Sequence, residues 1–324
     1  MKAVKYTEYG SPEVLKFVEM EKPVIEENEV LLRIHATTVT SGDVRQRIGS
    51  KDSLPMWPIS KLAIGFFKPK KHMLGFDVAG QIEAVGSQVT KFKVGDKVFG
   101  LAGGTNVEYR SFSEDKGLVP MPKNMSYAEA TSIPFGAATA KYFLEKANIQ
   151  PGNKVLVYGA SGAVGTFAVQ LAKYYGAEVT GVCSAKNVDL VKSLGADHVI
   201  DYKKEDFTKS NTSYDIVFDT LGKVTYGQVK KSLNPGGSFL MTVFGFKGII
   251  QGLWTSVFGK KKVIVGVASD TMEGLRFFTK LAEEGHIKPV IDSQYAFDDI
   301  RKAHARVEGG HKRGNVVVDI VSNS

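Results

Sequence analysis

The stretch that decides the fold is Lys154-Val-Leu-Val-Tyr158, which runs directly into Gly159-Ala-Ser-Gly162-Ala-Val-Gly165. Its first five residues predict a buried strand, and residues 163–175 place their apolar side chains along one stripe of a helix. A strand that turns sharply into a helix through glycines directs the first free N–H groups of that helix at a pyrophosphate. The stretch therefore predicts a dinucleotide-binding turn.

The glycines of this turn have different predicted roles. Gly162 removes the side chain where the phosphate approaches, Gly165 lets the helix pack closely on the strand, and Gly159 relieves the turn. Ala160 stands where the usual G-x-G-x-x-G spacing has its first glycine. That departure weakens the motif, and a tight strand–helix turn without a ligand is the alternative interpretation.

Strands and helices alternate around the turn. A helix is predicted over residues 127–146, before the turn. After it, strands are predicted at 178–182, 214–219, 237–243 and 262–267, with helices at 187–194 and 222–233. Buried strands that alternate with helices indicate a parallel sheet covered on both faces. The predicted fold class of this part of the chain is α/β.

The first 125 residues and the end of the chain follow another pattern. Short strands dominate, as where Val30, Leu32 and Ile34 lie on one face and Arg33 and His35 on the other. From residue 269 onward we expect two helices and a terminal strand, and we assign this tail to the N-terminal unit. Together these segments predict a compact, mostly-β unit.

The residues after the second predicted strand of the α/β part bear on the choice of dinucleotide. An acidic residue there would bind the ribose 2′-hydroxyl of NAD, whereas this chain has Cys183-Ser184-Ala185-Lys186-Asn187. Ser184 can donate a hydrogen bond to a 2′-phosphate and Lys186 can neutralise its charge. This pattern favours NADPH, with a solvated lysine at a helix start as the alternative for Lys186.

Composition limits the function further. The 324 residues include 42 Lys and Arg and 34 Asp and Glu, which give a net charge of +8. They also include one cysteine. A single cysteine, Cys183, excludes an internal disulfide and a four-cysteine zinc lobe. We expect no nucleic-acid partner, because no reader motif accompanies the dispersed charge, and no integral membrane segment. The start of the chain lacks signal or transit features, so the cytoplasm is the expected compartment.

Several further motifs occur in combination. They are Met1-Lys-Ala-Val4, Tyr9-Gly10-Ser-Pro-Glu-Val-Leu15, Gly75-Phe-Asp-Val-Ala-Gly80, Phe92-Lys-Val-Gly-Asp-Lys-Val98, Leu194-Gly-Ala-Asp197, Phe218-Asp-Thr-Leu-Gly222 and His311-Lys-Arg-Gly314. With the glycine turn, they make the sequence resemble the medium-chain dehydrogenase/reductase superfamily, in its zinc-free quinone oxidoreductase branch. The resemblance implies a GroES-like mostly-β catalytic domain (residues 1–124 and 269–324) and a Rossmann doubly wound parallel-sheet domain (125–268). It also implies homodimers joined through edge strands, here residues 262–267.

The resemblance assigns site residues by position. It implies NADPH phosphate contacts from Ser184, Lys186 and Tyr202, and a pyrophosphate turn of Gly162, Ala163, Val164 and Gly165. It places Thr139, Leu221, Phe244 and Gly245 on the nicotinamide side, with Gly314 and Asn315 near the domain junction. Thr40, Asp43 and Arg45, with Tyr9, are the candidate polar groups at the catalytic face. Tyr202 as a loop aromatic, Phe244 as a core residue and Asp43 as a turn former are the alternatives.

The zinc ligands of related enzymes have no counterpart at the matching positions. Ser41 and Gly42 occupy the place of a cysteine, and Phe76 that of a histidine. We therefore expect no metal, and an acceptor that stabilises its own developing negative charge, such as a quinone, an enone or an enal. An NAD(P)-dependent alcohol dehydrogenase-like enzyme and a non-catalytic NADPH-binding protein are the competing hypotheses.

Two bulky apolar segments, residues 54–67 and 246–258, remain open to interpretation. They line a roomy apolar substrate pocket if both face the cleft, or they are covering loops or dimer surface. Their flanking lysines also fit weak association with a membrane surface.

Overall fold

The computed structural model describes residues 1–268 and 271–321, which form two compact units. Unit 1 consists of Met1–Phe135, Asp270–Gly285 and Pro289–Ser324, and unit 2 of Gly136–Ser269 and His286–Lys288. The predicted domain boundary between residues 268 and 269 meets the undescribed pair Ser269 and Asp270, and residues 322–324 of the predicted tail also lie outside the described residues.

Unit 2 is a parallel sheet flanked by helices. Its strands are β8 (Lys154–Tyr158), β9 (Glu178–Cys183), β10 (His198–Asp201), β11 (Tyr214–Asp219), β12 (Leu233–Met241) and β13 (Lys262–Val265). Its helices are α4 (Pro134–Lys146), of which the first two residues belong to unit 1, α5 (Ala163–Tyr174), α6 (Val188–Ser193), α7 (Tyr226–Val229) and α8 (Phe246–Phe258). Short 3-10 turns lie at Ala185–Asn187, Phe207–Lys209 and Lys230–Ser232.

The order of these strands is that of a Rossmann fold. The sheet runs β10-β9-β8-β11-β12-β13, and each neighbouring pair is parallel. Counted from β8, the order is 3-2-1-4-5-6, which reverses between β8 and β11. Ligands of such sheets bind outside the carboxyl ends of the strands at that reversal, and the glycine turn follows β8. The predicted Rossmann class is confirmed.

Unit 1 is built on a mostly antiparallel sheet, in which β14 and β15 form a parallel pair. Its strands are β1 (Lys2–Lys5), β2 (Lys16–Glu19), β3 (Glu29–Val39), β4 (Asp77–Val85), β5 (Lys97–Leu101), β6 (Tyr109–Ser113), β7 (Leu118–Pro120), β14 (Ile291–Ala296) and β15 (Asn315–Asp319). Its helices are α1 (Ser41–Ile48), α2 (Ile59–Ile64), α3 (Tyr127–Thr131), α9 (Met272–Glu283) and α10 (Ile300–Glu308), with 3-10 turns at Pro12–Val14 and Phe297–Asp299. The described helices include none with the length and apolar character to cross a bilayer.

The central strand of unit 1 explains why its two sequence segments fold together. Strand β3 pairs with β4 and β6 from the N-terminal segment and with β15 from the end of the chain. Val30, Leu32 and Ile34 of this strand are buried, whereas Arg33 is exposed. Burial follows the predicted period-two alternation over residues 32–35, whereas Leu31 and residues 36–39 are buried as well. The apolar face of β3 forms the core of a GroES-like sheet.

Two predicted helices are wrong in extent. The helix predicted over residues 127–146 is two helices, α3 and α4, because Pro134 has no N–H to continue a helix and instead begins one. The helix predicted over 222–233 is reduced to α7 and a 3-10 turn. Gly222 has φ +71°, and the carboxylate of Asp219 accepts the N–H groups of Leu221, Gly222 and Val224, which holds these residues in a loop.

Candidate cofactor site and catalytic face

The glycine turn of unit 2 leaves an open space at Gly162. This residue is the N-cap of α5 in an extended conformation (φ −83°, ψ 173°), and a Cβ built on it would come no closer than 3.4 Å to Gly159 O. Because Gly162 has no side chain, it offers no cap to Ala163, Val164 and Gly165, whose N–H groups lack acceptors within the helix. Such an N-terminus attracts an anion.

The two neighbouring glycines are required by packing. A Cβ on Gly165 would lie 2.1 Å from Gly159 O and 2.9 Å from the Cα of Ala160, so helix and strand approach closely only without it. Gly159 has φ +82°, and a Cβ there would lie 2.6 Å from the Cγ of Leu221. Gly159 thus adopts the positive-φ backbone conformation that the turn needs, although Ala160 replaces the first glycine of the usual G-x-G-x-x-G spacing.

The loop after β11 stands beside this turn because of one buried carboxylate. Asp219 is fully buried, and its oxygens accept N–H groups from Leu221 (2.9 Å), Gly222 (2.9 Å) and Val224 (3.0 Å). Burial raises the pKa of Asp219, and these backbone bonds oppose the rise. Thr220 Oγ1 donates to Tyr158 O (2.8 Å), which fixes Leu221 against Gly159. Asp219 belongs to the motif Phe218-Asp-Thr-Leu-Gly222, but its role in holding this loop was not predicted from the sequence.

The corner after β9 holds the residues assigned to the 2′-phosphate. Ser184 is half-buried and Lys186 is exposed. Asn187 is buried, its Nδ2 donates to Ser161 Oγ (2.9 Å), and its Oδ1 has no hydrogen-bond partner among the described residues. This bond ties the corner to the glycine turn. The buried Oδ1 is thus an unpaired acceptor at this corner.

Strand β10 contributes the third phosphate candidate. The N–H of Tyr202 donates to Cys183 O (3.1 Å), and 41% of Tyr202 is exposed, so it is not a core aromatic. Burial raises the pKa of the Cys183 thiol to about 11, which keeps it neutral. Asp201, opposite Cys183 on the sheet, accepts the N–H of Lys203 (3.1 Å) and so caps the following turn.

The nicotinamide-side candidates lie along the same carboxyl edge and on α4. Phe244 is half-buried and Gly245 is exposed, both after β12. A Cβ on Gly136 would lie 2.7 Å from Ala163 O, so α4 touches the start of α5 there, and Thr139 follows one helical turn later on the same side. The structure thus gathers the candidates of unit 2 at one edge of the sheet.

The junction candidates Gly314 and Asn315 belong to unit 1 and have structural contacts. Gly314 has φ +73°, and a Cβ on it would lie 2.0 Å from Val290 O, which accepts the N–H of Asn315 (2.7 Å). Lys312, which the sequence analysis did not single out, donates to Gly314 O (2.5 Å). Burial lowers the pKa of Lys312 to about 8, against the opposing effect of Asp292.

Thr40 and Asp43 of unit 1 use their polar atoms on each other. Asp43 Oδ2 accepts the N–H (2.8 Å) and hydroxyl (2.6 Å) of Thr40, Oδ1 accepts the N–H of Gly75 (2.7 Å), and the N–H of Asp43 donates to Thr40 Oγ1. This is a capping box at the start of α1. Burial raises the pKa of Asp43, while its hydrogen bonds oppose the rise. The geometry favours the turn-forming alternative for Asp43.

The other two polar candidates have more open surroundings. Arg45 is half-buried on α1, and burial lowers its pKa. The hydroxyl of Tyr9 donates to Gly65 O (2.5 Å), and the Nζ of Lys61 lies 3.1 Å from the centre of the Tyr9 ring. Burial raises the pKa of Tyr9. Tyr9 is thus a half-buried phenol held by a backbone carbonyl and a cation.

The positions that hold zinc in related enzymes meet in unit 1, but they offer carbon in place of metal donors. A Cβ on Gly42 would lie 3.5 Å from Cε2 of Phe76, and the Phe76 ring also packs against that of Phe135 at 6.2 Å. Within residues 1–268 and 271–321, no group of three or more His, Cys, Asp or Glu is placed to hold a metal ion. A phenyl ring and a glycine do not fit zinc.

Comparison with known proteins gives the family. The family description "Alcohol dehydrogenase GroES-like domain" matches residues 26–123, and "Zinc-binding dehydrogenase" matches residues 194–318. A 2-methylene-furan-3-one reductase of Solanum lycopersicum is 34% identical over 98% of this chain and 79% of its own length. The chain belongs to the medium-chain dehydrogenase/reductase superfamily.

Further relatives place this superfamily member in the quinone oxidoreductase-like branch. A chloroplastic quinone-oxidoreductase homolog of Spinacia oleracea is 31% identical over 98% of both chains. The solved quinone oxidoreductase of Coxiella burnetii matches with a TM-score of 0.85 and 29% identity over 99% of both chains. The predicted family is confirmed, and the second matched description names zinc although Gly42 and Phe76 offer it no ligand.

Proposed function

We propose that this superfamily member is an NADPH-dependent oxidoreductase that reduces quinones or α,β-unsaturated carbonyls without zinc. The single observation that carries the proposal is the open turn at Gly162, which the hydrogen bond from Asn187 to Ser161 ties to the corner that contains Ser184 and Lys186. NADPH, when bound, supplies the hydride. The protein positions the cofactor and the acceptor and stabilises the charge that develops on the acceptor.

The cofactor-holding residues divide by the part of NADPH that they would face. The N–H groups of Ala163, Val164 and Gly165 would hold the pyrophosphate, and Gly162 would leave the room for it. Ser184, Lys186 and Tyr202 would hold the 2′-phosphate, where hydroxyl and ammonium donors favour the phosphorylated cofactor. Thr139, Leu221, Phe244 and Gly245 would hold the nicotinamide side, and Gly314 and Asn315 of unit 1 are kept as further cofactor-side candidates.

The substrate class follows from what the catalytic face lacks. Phe76 beside Gly42 provides an apolar wall and no Lewis acid, so an unactivated ketone has little to polarise its carbonyl. An enone, an enal or a quinone delocalises the added charge itself. We propose Arg45 as the group that faces the resulting oxygen anion, since it is the candidate whose side chain is not committed to the capping box.

Asp43 and Thr40 then act as positioning residues that hold the start of α1 and, through it, Arg45. The proton that completes reduction comes from water or from Tyr9, whose hydroxyl would first have to leave its hydrogen bond to Gly65 O. We also keep the predicted domain limits (residues 1–124 with 269–324, and 125–268), a homodimer formed through the edge strand β13, and a cytoplasmic location as parts of the proposal.

The test is a steady-state screen with metal analysis of the same preparation. The purified enzyme is offered NADPH or NADH with quinones, enones, enals and simple ketones, and NADP⁺ with simple alcohols. We expect turnover of the conjugated acceptors with NADPH and no stoichiometric zinc. Turnover of simple alcohols alone with bound zinc would establish an alcohol dehydrogenase, and NADPH binding without any turnover would establish a non-catalytic binding protein.

A further inference from the structure

Helix α8 presents an unusually apolar face to solvent. Its exposed large side chains recur at helical spacing, so they share one face: Phe246 (46% exposed), Ile250 (66%), Leu253 (67%), Trp254 (59%), Val257 (71%) and Phe258 (75%). A run of this kind on a surface helix marks an interaction site, whereas single exposed apolar residues need no explanation. The α8 face, defined by these six residues, is therefore a candidate interaction surface.

The opposite side of α8 is already used by the fold. A Cβ on Gly252 would lie 3.2 Å from Val263 O, and one on Gly248 would lie 3.6 Å from Cγ1 of Val265, so small residues let the helix settle on β13. Thr255 Oγ1 accepts the N–H of Val263 (3.0 Å). One side of the helix thus packs on β13, and the α8 face lies on the other side.

The charge around this face identifies the chemistry of the partner. Residues 220–269 contain seven lysines and no aspartate or glutamate. Lys247 is exposed at the start of α8, and Lys260 and Lys262 are exposed just beyond its end. An apolar helical face between cations is the pattern of a helix that lies in the headgroup region of an anionic membrane. The indole of Trp254 suits the same interface.

We propose that the α8 face binds the surface of a membrane that contains anionic phospholipid, independently of the reaction proposed above. A second copy of this chain fits the face less well. A two-fold pairing of α8 would set the same lysines against each other, and like charges oppose such a contact. Burial of the apolar face in lipid and attraction of the lysines to phosphate act together on a membrane.

The first test uses the full chain and vesicles of phosphatidylcholine, with or without phosphatidylserine. Co-sedimentation should be strong with phosphatidylserine, weak without it, and should fall as sodium chloride is raised. Absence of binding to both kinds of vesicle, or equal binding to both, overturns the proposal. The readout does not depend on NADPH or turnover, so its failure is separate from failure of the proposed reaction.

The second test removes the apolar contact. Leu253→Ser with Trp254→Ser should lower the partition onto phosphatidylserine vesicles by at least about tenfold, since two exposed apolar groups no longer enter the lipid. Val24→Ser with Val94→Ser is the matched control, because both valines are exposed (93% and 60%) in unit 1. Thermal unfolding should be the same for both doubles. An equal loss in the control overturns the proposal.

The third test reverses the charges. Lys247→Glu with Lys260→Glu should weaken binding by about fivefold for each lysine lost. Lys261 is left intact because its Nζ donates to Leu233 O (2.5 Å). Lys16→Glu with Lys192→Glu changes the net charge equally at exposed sites elsewhere and should have little effect. If both pairs weaken binding alike, the charge of α8 has no special part and the proposal fails.

The fourth test reports on depth. The chain has two tryptophans, so Trp57→Phe leaves Trp254 as the fluorophore. Its emission should shift to the blue on phosphatidylserine vesicles, and an unshifted emission contradicts insertion. Sedimentation equilibrium of the Leu253→Ser, Trp254→Ser variant should give the wild-type mass. A fall in mass would show that the face joins two copies and would overturn the membrane assignment.

Discussion

The glycine turn of unit 2 and the start of α1 in unit 1 are both helix N-termini, yet they differ in what remains for a ligand. At α5 the N-cap is Gly162, and a Cβ there would meet nothing closer than 3.4 Å. At α1 the N-cap is Thr40, and its hydroxyl and N–H are bound to Asp43. The start of α5 is therefore open, because no side chain caps its N–H groups. The start of α1 is closed, because Thr40 and Asp43 cap it.

This difference separates binding from stability. Polar groups that the fold leaves open, such as those around Gly162 and Ser184, should change cofactor affinity when they are altered. Polar groups that the fold satisfies, such as Asp43, should change the free energy of unfolding.

The largest effect at neutral pH is expected at the closed helix start. Asp43→Ala removes the acceptor of the N–H groups of Thr40 and Gly75 and should lower the free energy of unfolding by about 3 kcal/mol. Urea unfolding measures it. Glu273→Ala, an exposed first-turn acid of α9, should change stability by less than about 0.5 kcal/mol. Equal effects of the two substitutions would remove the distinction between closed and open polar groups.

A pH-dependent effect is expected in the core of unit 1. His304 is fully buried, and burial lowers its pKa to about 3 from 6.5. Its neutral form is favoured by folding, so its contribution to stability is complete above pH 6.5 and is lost as the pH falls toward 3. Within that window the loss approaches about 1.4 kcal/mol per pH unit.

His304→Leu should therefore flatten the acid limb of the stability profile between these pH values. Melting temperatures recorded across the window give the comparison, with His72→Asn as the exposed-histidine control. A parallel acid limb in wild type and His304→Leu would contradict the assignment of a neutral buried imidazole.

A smaller effect, on affinity alone, is expected at the open helix start. Gly162→Ala fits the backbone (φ −83°) and the space, so stability should stay within about 0.5 kcal/mol. NADPH affinity should fall by about tenfold, because the methyl group occupies the phosphate's room. Gly165→Ala is the matched control and should destabilise the fold by about 1–3 kcal/mol, since its Cβ meets Gly159 O at 2.1 Å. Reversed behaviour of the two variants would refute these roles.

The smallest effect is expected from a single hydroxyl. Ser184→Ala should weaken NADPH by about fivefold and leave NADH unchanged, because the hydroxyl is assigned to the 2′-phosphate. Fluorescence titration of both cofactors measures this. A loss shared by NADH would move Ser184 away from the phosphate.

The sequence predicted those parts of the fold that depend on local pattern. The strand before Gly159, the amphipathic α5 and the alternation along β3 follow from periodicity, and the family resemblance supplied the pairing of the two unit 1 segments. Helix α8 was missed as a helix because apolar residues occupy its exposed side, so the usual polar stripe is absent. The role of Asp219 was not predicted, because it depends on three backbone N–H groups that only the folded loop brings to it.

The candidate site shows the same limit. Gly162 and Gly165 could be recognised from their spacing, because the backbone geometry of a dinucleotide-binding turn requires glycine at such positions. The role of Asp43 depends on the hydrogen bond that it accepts from the N–H of Gly75. Local spacing does not predict that bond, because it joins distant parts of the sequence. Likewise, the contact between Gly42 and Phe76 joins positions far apart in sequence.

The central claim is that the corner after β9 selects a 2′-phosphorylated cofactor. Isothermal titration of wild type and Lys186→Asp with NADPH and NADH tests it most directly. Wild type should bind NADPH at least about tenfold more tightly than NADH, and Lys186→Asp should lose or reverse that preference while NADH affinity holds. Equal affinities in wild type, or equal losses for both cofactors in the variant, would contradict it.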